Sequence, residues 1–171
     1  MIVIDSLSKR FSLCGARVGC LISANEEVLA SALKIAQARL AAPTMSQFAS
    51  AHMLENIKDD FLQGVINEFR MRRDALYAAL KGIPGVIVQK PQGAFYTVVQ
   101  FPVADADDFA AYLLKEFSHN GKTTFIAPAA GFYMRHSQGA QQARVAYVLN
   151  KNDIEEAVDV LAAGLQSYSR R

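Results

Sequence analysis

The stretch Ser6-Leu7-Ser8-Lys9-Arg10-Phe11-Ser12-Leu13-Cys14-Gly15-Ala16-Arg17-Val18-Gly19 decides how the chain is read. Before it stand three β-branched residues, Ile2, Val3 and Ile4, which predict a short buried strand, and Asp5, Ser6, Ser8 and Lys9 then predict a loop. Arg17 to Ile22 reads as a second strand. A lysine directly after a buried strand, flanked by small hydroxyl residues, stands where its amine can be desolvated. Desolvation matters because a lysine at its reference pKa of about 10.4 is a protonated non-nucleophile, whereas the neutral amine forms Schiff bases. Arg17 lies between Gly15 and Gly19, so the backbone can turn and a planar guanidinium can face an anion without crowding.

Two hydroxyls, a lysine and an arginine together suit an aldehyde cofactor that carries a phosphate. Ser6-x-Ser8-Lys9 alone is a common solvated loop, and the full pattern with Phe11, Gly15, Arg17 and Gly19 is far more demanding.

The composition frames that reading. The chain has 171 residues, 51% of them hydrophobic, enough for a real core without disulfide or metal staples. Its 18 Lys+Arg against 16 Asp+Glu leave a formal charge of +2, which argues against a nucleic-acid partner. Cys14 and Cys20 form neither a CxxC pair nor a metal set, so reduced thiols in the cytoplasm are expected. His52, His119 and His136 lack ligand spacing, and no metal site is expected. No apolar run approaches the length of a membrane span.

Working outward, Asn25 is placed to cap a helix that ends before Pro43. Met45 to Leu80 is helical with a break near Ile57 to Asp60, and Phe61, Val65, Phe69, Leu76 and Leu80 share one face of the second part. Val86–Val88 and Ala94–Phe101 form an antiparallel pair around the turn Pro91-Gln92-Gly93. Asp105 opens a helix through Phe117, Thr123–Ile126 and Arg144–Leu149 are strands, and Asn152 or Asp153 starts the last helix. The order predicts part of one α/β layer followed by a small α+β domain.

The pattern Ser-x-Ser-Lys-x-Phe-x-x-x-Gly-x-Arg-x-Gly resembles the lysine segment of the pyridoxal-phosphate-dependent class I/II aminotransferases, the aspartate aminotransferase family of fold type I. Pro91-Gln92-Gly93-Ala94-Phe95-Tyr96 resembles the family's Pro-x-Gly-Ala-Phe-Tyr turn and strand, and Arg144-Val145-Ala146-Tyr147 its late arginine strand. Ala127-Pro128-Ala129-Ala130-Gly131-Phe132 resembles its Ala-Pro-Gly-x-x-Phe loop, with Ala129 in place of the glycine. The resemblance covers essentially the whole chain. It implies that Lys9 forms the Schiff base with pyridoxal phosphate and shuttles the proton between the substrate α-carbon and the cofactor's C4′. Ser6 and Arg17 would hold the phosphate, with Ser8 a weaker candidate, and Arg144 would clamp the substrate α-carboxylate through a bidentate pair. Phe95 and Tyr96 read as packing residues, and Arg39 as a solvated helix end.

The fold implied is α/β with an α+β small domain. Residues 1–56 would be a remnant of the large cofactor-binding domain carrying Lys9, and residues 57–171 the C-terminal small domain. The family's glycine-rich phosphate turn, ring-stacking aromatic, ring-hydroxyl asparagine and pyridinium aspartate have no counterpart in this sequence. The expectation is therefore a fragment, inactive alone, of an aminotransferase that moves an amino group between an amino acid and a 2-oxo acid. It would act as a homodimer or with the missing N-terminal part, without nucleic acid or membrane. The alternatives are a fragment of a lyase, decarboxylase or synthase on the same scaffold, or a non-catalytic binding or assembly module.

Overall fold

The computed structural model describes residues 1–135 and 138–171, so His136 lies outside the described residues. Two compact units divide the chain, Met1–Phe61 and Leu62–Arg171.

In the first unit the β-branched opening forms β1 (Ile2–Ser6), which pairs antiparallel with β2 (Gly19–Ser23), Ile2 opposite Ser23 and Ser6 opposite Gly19. A loop was expected between them, but Leu7–Arg10 is a short helix, α1. Its cause is local: the Ser6 hydroxyl accepts a hydrogen bond from the Ser8 amide at 3.0 Å and caps the turn. The second strand starts at Gly19 rather than Arg17, because Arg17 is left-handed (φ 55°, ψ 35°) and cannot sit in a strand.

Helix α2 (Glu26–Arg39) is capped as expected, the Asn25 Oδ1 accepting from the Val28 amide at 3.0 Å. Glu26 and Glu27 in its first turn and Arg39 in its last complement the helix dipole. Helix α3 (Thr44–Asn56) follows, and the chain breaks at Ile57–Lys58 before α4 (Asp59–Lys81).

This unit buries almost nothing. Among the described residues before Leu76 only Ser50 is buried, while Ile4, Ile35, Met45 and Phe48 stand 70–81% exposed. Apolar residues lie on both faces of the β1–β2 pair and around α2 and α3, a pattern that belongs to elements covered on all sides.

The second unit holds the core. Strands β3 (Ile87–Val88), β4 (Tyr96–Gln100), β5 (Ala127–Pro128) and β6 (Gln142–Ala146) form an antiparallel sheet in the order β3-β4-β6-β5. Thr97, Val99, Ala143 and Tyr147 are buried while Val98, Arg144 and Ala146 are exposed, so one face is covered and the other open. Helices α4, α5 (Ala106–Lys115) and α6 (Lys151–Tyr168) supply Leu76, Leu80, Phe109, Leu113, Leu161 and Leu165 to the covered side. At Gly164 a Cβ would lie 2.5 Å from Leu113 and 3.2 Å from Phe117, so glycine lets α6 approach the residues packed there.

Asp105 caps α5 through the Asp107 amide at 2.7 Å, as expected. Three expectations change, and the first is the late strand, which runs Gln142–Ala146 rather than Arg144–Leu149. Thr123–Ile126 is not a strand: Thr123 donates to the Leu113 carbonyl at 2.6 Å, which ties this segment to α5, and pairing with β6 begins at Ala127. The last helix is capped by Asn150, whose Oδ1 accepts from the Asp153 amide at 3.0 Å, earlier than Asn152 or Asp153.

Asp74 on α4 bonds Arg73 Nε at 2.8 Å and Lys90 Nζ at 2.9 Å, and the Arg73 hydrogen bond is the main reason its pKa is held down to about 2. The unfolded value is about 3.9, so this stabilisation is present above about pH 4 and is lost as pH falls through about 2. The carboxylate is 44% exposed, which limits the effect to about 1 kcal/mol or less. Urea unfolding of Asp74→Asn is expected to show a small deficit at pH 7 that closes towards pH 2.

Candidate active site

In the first unit, the Leu7 amide donates to the Val18 carbonyl at 3.2 Å, which closes the connection that holds Lys9 and Arg17 at one end of the β1–β2 hairpin. Ser6 ends β1, half-buried, its hydroxyl accepting from the Ser8 amide, so Ser8 enters through its backbone. Lys9 lies on α1 and is exposed, so the desolvation expected from the sequence is not supplied by these residues. Arg10 Nη2 pairs with Asp5 Oδ2 at 2.7 Å across the base of the same turn.

Arg17 is exposed, and its Nη1 donates to the Cys14 carbonyl at 3.0 Å, which ties down one end of the guanidinium and leaves other N–H groups to bind an anion. The glycines do not act as the sequence suggested. Left-handed backbone is adopted by Arg17 itself and by Ser12 (φ 56°), whereas Gly15 has open space where a Cβ would stand. Gly19 is the steric one: a Cβ there would lie 2.8 Å from the Asp5 carbonyl oxygen and 3.4 Å from the Ser6 Cβ. Glycine lets β2 pass this close to the Asp5 carbonyl of β1.

In the second unit, Arg144 occupies the exposed face of β6, opposite Val98 on β4 and Ala127 on β5. Its Cζ lies 4.6 Å from the Tyr96 ring centroid and 5.2 Å from that of Phe132. Three sequence segments read separately thus meet at one guanidinium. Phe95 packs against the core, as expected, but Tyr96 is more than a packing residue. The usable signal was strand alternation, which puts Tyr96 on the same face as Val98 and hence diagonal to Arg144. Phe132 stands in the sequence as the aromatic of the loop at residues 127–132, and only the sheet order brings it beside Arg144.

Tyr147 joins two of these segments. It is buried, its amide donates to the Phe95 carbonyl at 3.0 Å, and its hydroxyl donates to the carbonyls of Ala94 (2.9 Å) and Gly93 (3.2 Å). Burial pushes the phenol's pKa up against the opposing charge of Arg73, so the hydroxyl stays a donor. Tyr147→Phe is expected to cost about 1 kcal/mol in denaturant unfolding, since the freed carbonyls are at the surface and can take water.

Among the described residues no three His, Cys, Asp or Glu side chains form a metal cluster, and no helix is long and apolar enough to cross a membrane. Cys14 and Cys20 are free and exposed, and Arg39 is exposed at the end of α2.

The family model for aminotransferase class I and II matches residues 1–161. The chain belongs to this family. It is 32% identical over 161 residues to the (5-formylfuran-3-yl)methyl phosphate transaminase of Methanocaldococcus jannaschii, covering 92% of this chain and 40% of that protein. It is 30% identical over 166 residues to an aspartate aminotransferase of Bacillus sp., covering 92% and 39%. Among solved structures, alanine aminotransferase from Pyrococcus furiosus matches with a TM-score of 0.78 and 25% identity, over 97% of this chain and 42% of that one. The α-aminoadipate aminotransferase LysN from Thermus thermophilus matches with a TM-score of 0.84 at 22% identity, over 97% and 42%, a likeness of fold. The chain therefore has the mixed α/β architecture of part of a fold type I enzyme, and it spans 39–40% of the length of the two curated relatives named here.

Aminotransferases of this family depend on pyridoxal phosphate. The donor set of the hairpin fits that group in kind: an amine for an aldehyde, with a hydroxyl and a guanidinium for a phosphate, beside a glycine whose Cβ would strike the Asp5 carbonyl oxygen.

Proposed function

We propose that this chain supplies the cofactor-anchoring lysine and the carboxylate-binding arginine of an aminotransferase that moves an amino group between an amino acid and a 2-oxo acid. The observation that carries this reading is the family match over residues 1–161, a span that includes both Lys9 and Arg144. Pyridoxal phosphate, when bound, supplies an electron sink for the charge left on the substrate's α-carbon. Lys9 Nζ would hold the cofactor by its aldehyde and, as a free amine, would take up the proton from the substrate's α-carbon. The Ser6 hydroxyl and the Arg17 guanidinium hold the phosphate, with Ser8 contributing less. Arg144 orients the amino acid by a two-point grip on its carboxylate.

Residues 1–56 act in this reading as part of the large domain and residues 57–171 as the small domain. The ring-stacking and pyridinium-pairing groups of the family have no counterpart here, so the chain alone is expected to be inactive. Its function then rests on the remaining large-domain segment and on a homodimer, working in the cytoplasm, where exposed free Cys14 and Cys20 stay reduced. The apolar surface of residues 1–61 supports such a need for cover. Light scattering is expected to find self-association, and a stable, monodisperse monomer would contradict it.

The deciding experiment adds pyridoxal phosphate to the chain. A visible absorbance band is expected, with borohydride fixing the cofactor to Lys9 as read by peptide mass. No label on Lys9, in this chain and in the enzyme containing it, would overturn the assignment.

A further inference from the structure

An arginine that must receive a carboxylate faces a conflict: whatever holds it in place must not occupy the donors it needs. Among the described residues, no carboxylate pairs with Arg144 and no protein acceptor hydrogen-bonds its guanidinium. Two aromatic rings stand beside it instead, Tyr96 at 4.6 Å and Phe132 at 5.2 Å. A ring attracts a cation through the negative charge of its π face, whereas a carboxylate partner would take the same in-plane N–H groups that grip a substrate.

We propose that Tyr96 and Phe132 are positioning residues that hold the Arg144 guanidinium by its faces and keep its N–H edge open for the substrate carboxylate. The inference rests on Arg144 being the carboxylate arginine, as proposed above. Sheet order builds the arrangement, since β6 lies between β4 and β5. Tyr96 comes from β4 on one side, diagonal to Arg144 across the Val98–Arg144 pair. Phe132 comes from the other side, ending the single 3-10 turn Ala130–Phe132 that follows β5.

Both rings are anchored to β6 or its extension. The turn before Tyr96 is held by the Tyr147 hydroxyl on the Gly93 and Ala94 carbonyls. The turn bearing Phe132 is held by the Ala129 amide on the Gln142 carbonyl at 2.8 Å, by the Phe132 amide on the Ala129 carbonyl at 2.9 Å, and by the Tyr133 hydroxyl on Gln142 Oε1 at 2.6 Å. A guanidinium held this way loses less rotational freedom when a carboxylate arrives, so the rings should act on substrate binding and not on the chemical step.

The test has two arms. In the 171-residue chain, NMR should show the Arg144 side-chain protons shifted upfield by ring currents, and Tyr96→Leu and Phe132→Leu should each remove part of that shift while Tyr96→Phe keeps it. In the active enzyme containing this chain, assayed with L-aspartate and 2-oxoglutarate, each leucine variant should raise KM for the amino acid a few-fold and the double variant about tenfold, with kcat unchanged. Tyr96→Phe should behave as the parent. If Arg144→Lys raises KM strongly and the leucine variants do not, the positioning role is wrong and the carboxylate assignment stands. If Arg144→Lys itself leaves KM unchanged, the carboxylate assignment falls and the positioning role with it. Loss of the effect in Tyr96→Phe would assign it to the hydroxyl and overturn the ring argument.

Discussion

Lys9→Ala is expected to abolish borohydride-stable attachment of pyridoxal phosphate at this position and to lower the activity of the enzyme containing this chain by at least about 10³-fold. Lys9 is the third residue of α1 and is exposed, so removing its side chain opens no cavity. A loss of activity without a loss of fold therefore reports chemistry. Lys9→Arg sharpens the test, because it keeps the positive charge and the length but not a deprotonatable primary amine. If charge alone mattered, arginine would retain function; if Schiff-base chemistry matters, it fails as completely as alanine. Attachment persisting in Lys9→Ala, for instance at Lys34 on α2, would show that the anchoring residue lies elsewhere.

Arg144→Lys is expected to raise the KM for the amino acid by about 10- to 100-fold, the range that follows from losing a charge-assisted, two-point hydrogen bond. Lysine keeps the charge but presents a point donor in place of a planar fork. The substitution lies on the open face of the sheet, away from Val99, Ala143 and Tyr147, so the core should be untouched. The absorbance band of bound cofactor should be unchanged, which separates a defect in holding substrate from one in holding pyridoxal phosphate. A KM within two-fold of the parent, with folding intact, would remove Arg144 from the binding role.

Much of the fold was legible because its signals are local. Asn25 and Asp105 announce their helices by capping chemistry, and the break at Ile57–Lys58 falls inside the interval marked by the loss of helical spacing. The antiparallel pairing of β3 and β4 follows from the Pro91-Gln92-Gly93 turn. What was not legible depends on partners distant in sequence. Thr123 is drawn to the Leu113 carbonyl, and only then does Ala127–Pro128 become the pairing segment. Helix α1 was missed because one serine hydroxyl caps just four residues.

The candidate site divides the same way. Lysine, serines and arginines stand in motifs whose residue types carry the chemistry, so they could be named from sequence. Their surroundings could not, because Arg17 takes the left-handed turn that a neighbouring glycine would ordinarily supply. Likewise the rings beside Arg144 meet only once the order β3-β4-β6-β5 is known.

The uneven burial of the chain has an energetic corollary for the lysine-bearing hairpin. Apolar burial gathers between Leu76 and Leu165, so opening residues 1–23 uncovers little that is not already in water. Such a segment opens far more cheaply than the sheet and helices of the core, and it does so without unfolding them. Any molecule that seats on Ser6, Lys9 and Arg17 therefore does two things at once: it binds, and it closes the hairpin around itself. Its apparent affinity is its intrinsic affinity reduced by the fraction of time the hairpin is already closed, so whatever covers β1 and β2 also tightens the grip on that molecule.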